Sequence, residues 1–574
     1  MDMGREAIAA VETAHSLIFQ HHNKETPVPQ LSSPLTQSYW PADTSREVLE
    51  ITEGQALREA ALKAPERWAL VEKMPAGWPS LTGAVQTDRR WTYAQLLDDA
   101  TVCAHWLLQR YQPGQRICLW APNVPEWVIL QYGASLAGLV LVTANPALRT
   151  QELQYVLRQS RAGALFHIDQ FRGSDMAAMA SAAIAGLEDS VDIISLSGWL
   201  EQVRQTPHDG ALPDVAPRSP AQIQYTSGTT GEPKGALLHH MGLVTNARFV
   251  AARAQQHEDV HICPMPLFHT AGSVMSVLGC VTTLSTLVLI VAFDPDLVLQ
   301  AIADERGTRL GGVPTMLLAL LEQRKAKTYD LSSLQLAMSG GAPVPVALTE
   351  RVRTEMGCDL VTVYGQTELS PIVCQTAPGD SAEDKAQTTG QPLWQVEVRI
   401  SGPDGEVLPV GEEGEIQARG YQSMLEYFEQ PGATAQTLLG DGWLRTGDLG
   451  TMDARGYCHV TGRLKDMIIR GGENIYPVQV EGVLMKHPSV ADVAVFGLED
   501  AHWGEQVAAA IRFKPEAQVC AAEELKQFCR EHLAPHKSPE YWFICEAFPL
   551  TGSGKVQKFR LKELARQQQL RTLR

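Results

Sequence analysis

The feature that most constrains the fold is an alternation running through the first two thirds of the chain. Six short apolar runs, RICLWA (116–121), GALFHI (163–168), DIISL (192–196), IQYT (223–226), TLVLIVAF (286–293) and LQLAMS (334–339), are separated by longer stretches with helical apolar spacing. Strands that are apolar on both faces must be covered on both, and strands joined through helices run parallel. The pattern predicts an α/β fold of mainly parallel sheets flanked by helices. From Gln395 the texture changes. VEVRISGPDGEVLPVGEEGEIQARG (396–420) and GTMDARGYCHVTGR (450–463) read as short strands joined across Asp-Gly and Arg-Gly turns, hence a small antiparallel β-subdomain. After residue 463, mixed helix and strand predict a small α+β unit. Because 574 residues exceed one ordinary core, we expect an N-terminal extension over 1–45, a large domain over 46–463 and a small mobile C-terminal domain over 464–574.

Charge and cysteine usage narrow the function classes. A net charge of −17 opposes binding to nucleic acid or an anionic membrane. The end of the chain is the local exception, with seven Lys/Arg and one Glu over 555–574; it reads as a solvated basic helix or as a contact for an anionic ligand. Ten cysteines without a C-x-x-C pair or zinc spacing read as reduced thiols in a cytoplasmic protein. The uncharged runs 127–144 and 272–293 each switch midway from helical spacing to a β-branched cluster, so each is expected to be a buried helix followed by a buried strand, not a membrane span. The first nineteen residues carry acids and lack a signal-peptide cleavage pattern, and an amphipathic helix is expected there. ETPVPQLSSPL (25–35) reads as an extended lead-in segment.

The chemistry is announced by QYTSGTTGEPKGALL (224–238). Its glycines let backbone N–H groups turn inward, its hydroxyls add donors without bulk, and Lys234 brings a mobile positive charge; together they make a nest for a phosphate chain. A Walker loop would need Gly-Lys-Ser/Thr opening a helix, whereas Pro233 precedes Lys234 and Gly235 follows it.

This stretch resembles the signature of the adenylate-forming superfamily, which includes acyl-CoA synthetases, nonribosomal adenylation domains and luciferases. SGGAP (339–343), VYGQTE (363–368), GWLRTGDLG (442–450), GRLKDMIIRGGENIYP (462–477) and PLTGSGKVQK (549–558) follow in family order. The resemblance spans roughly residues 40–562; the insert MPAGWPSLTGAVQTDRR (74–90) falls outside it. It implies a reaction in which ATP and Mg²⁺ convert a carboxylic acid to an acyl-adenylate that coenzyme A then captures. By resemblance, Thr226, Ser227, Gly228, Thr229, Thr230, Gly231 and Lys234 hold the triphosphate. Adenine lies against Gly340, Gly341, Ala342, Pro343 and Tyr364, in a turn continued by Gly365 and Gln366. Thr367 meets the α-phosphate, Glu368 holds the metal, Asp448 the ribose hydroxyls, and Arg463 ribose or phosphate. Lys555 is implied to bridge carboxylate and α-phosphate. Lys465 would be the hinge about which the small domain rotates, bringing Gly471, Gly472 and Glu473 to the thiol tunnel.

PMPLFHTAGSVMSVLG (264–279) has no charged residue to hold a substrate ammonium, which argues against amino acids. His269 resembles the aromatic gate of the acyl pocket, and Met275, Val277, Leu278, Val313, Met338 and Ile372 are its expected apolar lining. The medium-chain fatty acyl-CoA synthetases are the branch most resembled, and an aryl acid is the next expectation. The rival readings are transfer to the phosphopantetheine of an acyl carrier protein, a luciferase-type oxygenase, and a non-catalytic nucleotide-binding relative. A homodimer is the remaining partner candidate.

Overall fold

A computed structural model describes residues 33–85, 88–208, 210–226, 233–471, 473–550 and 556–574; the helix expected near the N-terminus lies outside them. Among the described residues, one seven-stranded sheet has the order Glu426–Tyr427, Lys234–His239, Pro220–Thr226, Val140–Ala144, Arg116–Trp120, Ala164–His167, Asp192–Ser195. Its last five strands run parallel and its first two pair antiparallel. A nine-stranded sheet centres on six parallel strands: Asp359–Gly365, Leu336–Gly340, Arg309–Gly311, Val260–Cys263, Thr286–Ile290 and Trp68–Lys73. All six expected apolar runs are strands, with ends shifted by up to three residues.

Both uncharged runs resolve as helix then strand. Pro125–Ala137 ends at Gly138, whose φ of 69° forms a left-handed C-cap, and Val140–Ala144 follows, every residue buried. The second run begins as a π-helix, Ala271–Leu278, continues as a turn of α-helix and leads into the fully buried strand Thr286–Ile290. No helix among the described residues is long and apolar enough to cross a membrane.

The expected antiparallel subdomain is a five-stranded sheet in the order Tyr39–Trp40, Val396–Ser401, Gly414–Gly420, Leu444–Met452, Cys458–Arg463. Trp40 is only 1% exposed, so ordered structure joins this sheet ahead of residue 46. The insert 74–90 carries Arg89, which binds Glu72 and Glu126 through buried ion pairs at 2.8 and 2.6 Å and ties the insert to the helix Pro125–Ala137. From Ile468 onward a separate six-stranded sheet surrounds its own core, including Ile468, Val495, Ile511 and Trp542. The basic end is only partly the solvated helix expected. In the helix Lys558–Arg566, Leu561 is fully buried, while Lys558 pairs with Glu481 at 2.7 Å, Lys562 with Glu505 at 3.0 Å, and Arg566 with Glu499.

Candidate active site

The site forms at strand ends. Thr226 closes one strand and Lys234 opens its antiparallel neighbour; the two face each other in register, and Thr226 Oγ1 donates to the Lys234 carbonyl at 3.4 Å. The residues between them, including Ser227, Gly228, Thr229, Thr230 and Gly231, lie outside the described residues. Their stems are tightly held. Tyr155 Oη donates to Pro233 O at 2.9 Å and the Phe428 amide to Gly235 O at 2.8 Å. Tyr225 Oη donates to Gln159 Oε1 at 2.5 Å, and Gln159 Nε2 donates onward to Phe428 O at 2.6 Å.

From Lys234 a continuous path leads to the acidic residue. The Lys234 ammonium sits 4.8 Å from the Tyr427 ring centroid, and Tyr427 Oη donates to Glu368 Oε1 at 2.6 Å. Burial, followed by the Glu368 charge, pushes the Tyr427 hydroxyl far above its ordinary range, so it remains a donor. Glu368 is buried in a short 3₁₀ turn with Thr367, just past the strand Asp359–Gly365. Lys465, on the turn after the strand Cys458–Arg463, feels the same cluster: partial desolvation lowers its pKa, Lys234 and Arg463 lower it further, and Glu368 opposes them.

The second cluster centres on Asp448, which is buried and faces Arg463 across the antiparallel pair Leu444–Met452 and Cys458–Arg463. Tyr364 Oη donates to Asp448 Oδ2 at 2.9 Å and Arg463 Nε to Oδ1 at 3.0 Å, so both carboxylate oxygens are occupied and oriented. Parallel pairing of Leu336–Gly340 with Asp359–Gly365 sets 340–343 beside Tyr364, Gly365, Gln366 and Thr367 at the C-terminal strand ends, where open α/β sheets bind ligands. Two of these glycines have no room for a side chain. A Cβ at Gly340 would lie 2.4 Å from Val363 O, and one at Gly365 only 1.9 Å from Pro371 O. Gly341, Ala342 and Pro343 are exposed.

Of the residues expected to gate and line the acid pocket, His269 is half-buried just before the π-helix, and its Nδ1 accepts from the Ala271 amide at 3.2 Å, leaving Nε2 to carry the proton of the neutral ring. Met275 is half-buried, whereas Val277 and Leu278 are buried within the main core. Met338 faces Gly311 in register, the Gly312 amide donates to Met338 O at 3.0 Å, and Val313 caps the next helix, so Val313 and Met338 share one strand-end region. Ile372 pairs with Gly365 and is fixed by Asn246, whose Nδ2 donates to Ile372 O at 2.7 Å and whose Oδ1 accepts from the Ile372 amide at 3.0 Å.

In the C-terminal sheet, Gly471 occupies the hairpin between Ile468–Arg470 and Glu473–Ile475. Its φ is +61°, its amide donates to Trp503 O at 2.8 Å, and a Cβ there would sit 2.8 Å from the Trp503 ring. The turn itself therefore demands glycine. Gly472 and Lys555 lie outside the described residues, and Glu473 is exposed. The segment bearing Lys555 is closed at its base by a bridge between Leu550 and Val556. Tyr427, which joins Lys234 to Glu368, was not legible in the sequence: it stands 59 positions from Glu368 and in no recognisable spacing with it.

Two family models match the chain, AMP-binding enzyme over residues 57–428 and AMP-binding enzyme C-terminal domain over 479–555. The chain is 37% identical to the putative acyl-CoA synthetase YngI of Bacillus subtilis (strain 168), covering 86% of this chain and 96% of that protein. It is 35% identical to the mitochondrial medium-chain acyl-CoA ligase ACSF2 of Macaca fascicularis, covering 92% and 89%. Among solved structures, the anthranilate CoA ligase AuaEII in complex with anthranoyl-AMP superposes with a TM-score of 0.80 at 26% identity, covering 90% of this chain and 98% of that one. With its phosphate-loop stems, buried glutamate and oriented aspartate on the matching fold, this chain belongs to the AMP-binding enzyme family, among its AMP-forming acid–CoA ligases.

Proposed function

We propose that the chain activates a hydrophobic carboxylic acid of medium chain length as its acyl-adenylate and passes the acyl group to coenzyme A. One observation carries this reading: a lysine and a buried carboxylate meet through a single tyrosine at the mouth of a hydroxyl-rich loop, while 264–279 is uncharged. A substrate carboxylate oxygen attacks the α-phosphorus and pyrophosphate leaves; the CoA thiolate then attacks the acyl carbon and AMP leaves. Both reactants of the first step are anions, so the site must offer cations and donors where charge develops. Lys234 and the loop hydroxyls serve the triphosphate, Thr367 the α-phosphate, and Asp448, oriented by Tyr364 and Arg463, the ribose diol.

Glu368 suits Mg²⁺. Tyr427 occupies Oε1 and leaves lone pairs on the carboxylate for a hard cation, which needs only one or two carboxylates when phosphates and waters complete its shell. When bound, the metal would neutralise phosphate charge. Lys555 would bridge carboxylate and α-phosphate in one pose of the small domain, 464–574, and Gly471, Gly472 and Glu473 would line the thiol path in the other, with Lys465 as hinge. His269 would gate the acid, and Met275, Val313, Met338 and Ile372 would bound it. Ten buried thiols suit a reducing compartment such as the cytoplasm.

A panel of straight-chain and aryl acids, assayed with ATP and Mg²⁺, tests the proposal. AMP and pyrophosphate should appear, fastest with a medium-chain acid and with free CoA as acceptor. ADP as product would overturn the reaction; preference for benzoate, or for a holo-carrier protein over CoA, would overturn the substrate or the acceptor.

A further inference from the structure

Behind the phosphate-loop strand runs a buried polar chain to which the reaction steps above assign no task. Glu53, 1% exposed, opens the helix Glu53–Lys63. Its Oε1 accepts from Gln222 Nε2 at 3.0 Å and its Oε2 from Gln131 Nε2 at 3.2 Å. Gln222 Oε1 accepts from Gln224 Nε2 at 2.8 Å, and the same nitrogen donates to Ser273 Oγ at 2.9 Å. Gln131 Nε2 also donates to Ser273 O at 3.2 Å. Ser273 closes the path: its amide and its hydroxyl donate to the His269 carbonyl at 3.1 and 3.3 Å.

The two ends of this path matter. Gln222 and Gln224 alternate along the strand Pro220–Thr226, so they share a face with Thr226 at the base of the phosphate loop. Ser273 stands on the π-helix that follows His269. The path thus joins the element that presents donors to phosphate with the element that carries the acid gate. A buried carboxylate and three amides are a costly way to fill a core, because apolar side chains of similar volume pack without desolvation. What the polar set adds is a fixed register, since its directional bonds tie the two elements at set positions even though Gln131 Oε1 is left without a partner.

We propose that Glu53 is a positioning residue for adenylation, acting through Gln131, Gln222, Gln224 and Ser273 to hold the strand that ends at Thr226 in register with the helix that follows His269. Attack of a carboxylate on phosphorus needs both partners placed closely, and small misplacement costs rate more than binding. The inference rests on the adenylation reading, and the two are tested separately.

The experiment is pyrophosphate exchange with ATP and octanoate, or with benzoate if the parent prefers it, on Ser273→Ala, Gln224→Leu, their double variant and Glu53→Gln. Each single change should lower kcat about tenfold, leave KM for ATP within about twofold, and keep the melting midpoint within about 3 °C of the parent. The double variant should be no slower than the slower single one, because both changes cut one path. Single variants at parental kcat, a multiplicative loss of about a hundredfold in the double variant, or losses that follow a falling melting midpoint would each overturn the positioning role. An inactive parent refutes the function itself, whereas an active parent with equally active variants refutes only this inference.

Discussion

Glu53 also makes a prediction about stability. Burial pushes its carboxyl up to about 7 from 4.5, and the amides of Gln131 and Gln222 offset only part of that. A raised folded-state pKa means that the native protein keeps a proton which the unfolded chain releases. The corresponding stability is complete below about pH 4.5 and is lost progressively as pH rises to about 7. The rise from 4.5 to about 7, at about 1.4 kcal/mol per pH unit, gives about 3.5 kcal/mol. For 574 residues the unfolding entropy is on the order of 1.2 kcal/mol/K, so the effect on the melting midpoint is about 3 °C. Glu53→Gln preserves the shape and cannot ionise. Its midpoint relative to the parent should therefore rise by about 2 °C between pH 5 and pH 8, the rest of the effect lying below pH 5. Tyr132 adds no titration there, because burial, with the Glu53 charge a lesser cause, holds its hydroxyl well above the ordinary range. The assay is thermal melting of both proteins from pH 5 to 8 at constant ionic strength. A difference that stays flat across the range, or narrows in favour of the parent, would refute the reasoning.

Three further predictions concern turnover. Lys555→Ala should slow acyl-adenylate formation by about 10²–10³-fold, by analogy with a deleted oxyanion donor, yet form thioester from added acyl-adenylate at near-parental rate; equal losses in both assays would reject the two-pose scheme. Gly471→Ala must fit a Cβ 2.8 Å from the Trp503 ring at a φ of +61°, so thioester formation should fall more than about tenfold while pyrophosphate exchange stays within about threefold; a matching loss of exchange would make this turn necessary to both half-reactions. Met338→Trp or Val313→Phe should move the preferred acid to a shorter chain without raising KM for ATP, and a substrate panel identical to the parent's would remove these residues from the acyl wall.

The parts legible in the sequence were those written locally. Uncharged, mostly apolar runs such as 140–144 and 286–290 announce strands covered on both faces, and the turns at Gly405 and Gly456 announce hairpins, because period and turn chemistry act over a few residues. Thr226, Lys234, Gly340, Gly365 and Arg463 fall at strand ends, whereas Asp448 sits mid-strand. The contacts that complete the site were not local. Nothing near Glu368 points to Tyr427, and Glu53 lies 169 positions from Gln222. Their pairing follows only from which strands become neighbours. The segment 271–278 shows a subtler limit: its apolar spacing fits any helix, and only the structure shows it wound as a π-helix, where Ser276 Oγ also donates to Ala271 O at 3.0 Å. The glycine at 471, expected at the thiol tunnel, already answers to Trp503.

The bridge between Leu550 and Val556 has a mechanical meaning. Val556 is anchored in the C-terminal unit, its neighbour Gln557 donates from its amide to Pro549 O at 2.8 Å, and the next residue, Lys558, is tied to Glu481. Lys555 precedes that anchor by a single peptide unit, so covalent geometry limits its ammonium to a sphere of about 10 Å around the Val556 Cα. The leash is short. A lysine held this way cannot be cast across a cleft by its own loop; in the proposed two-pose scheme the whole C-terminal sheet would travel with the charge, and withdrawing it after the first half-reaction would displace Trp503 and the Gly471 hairpin as one piece.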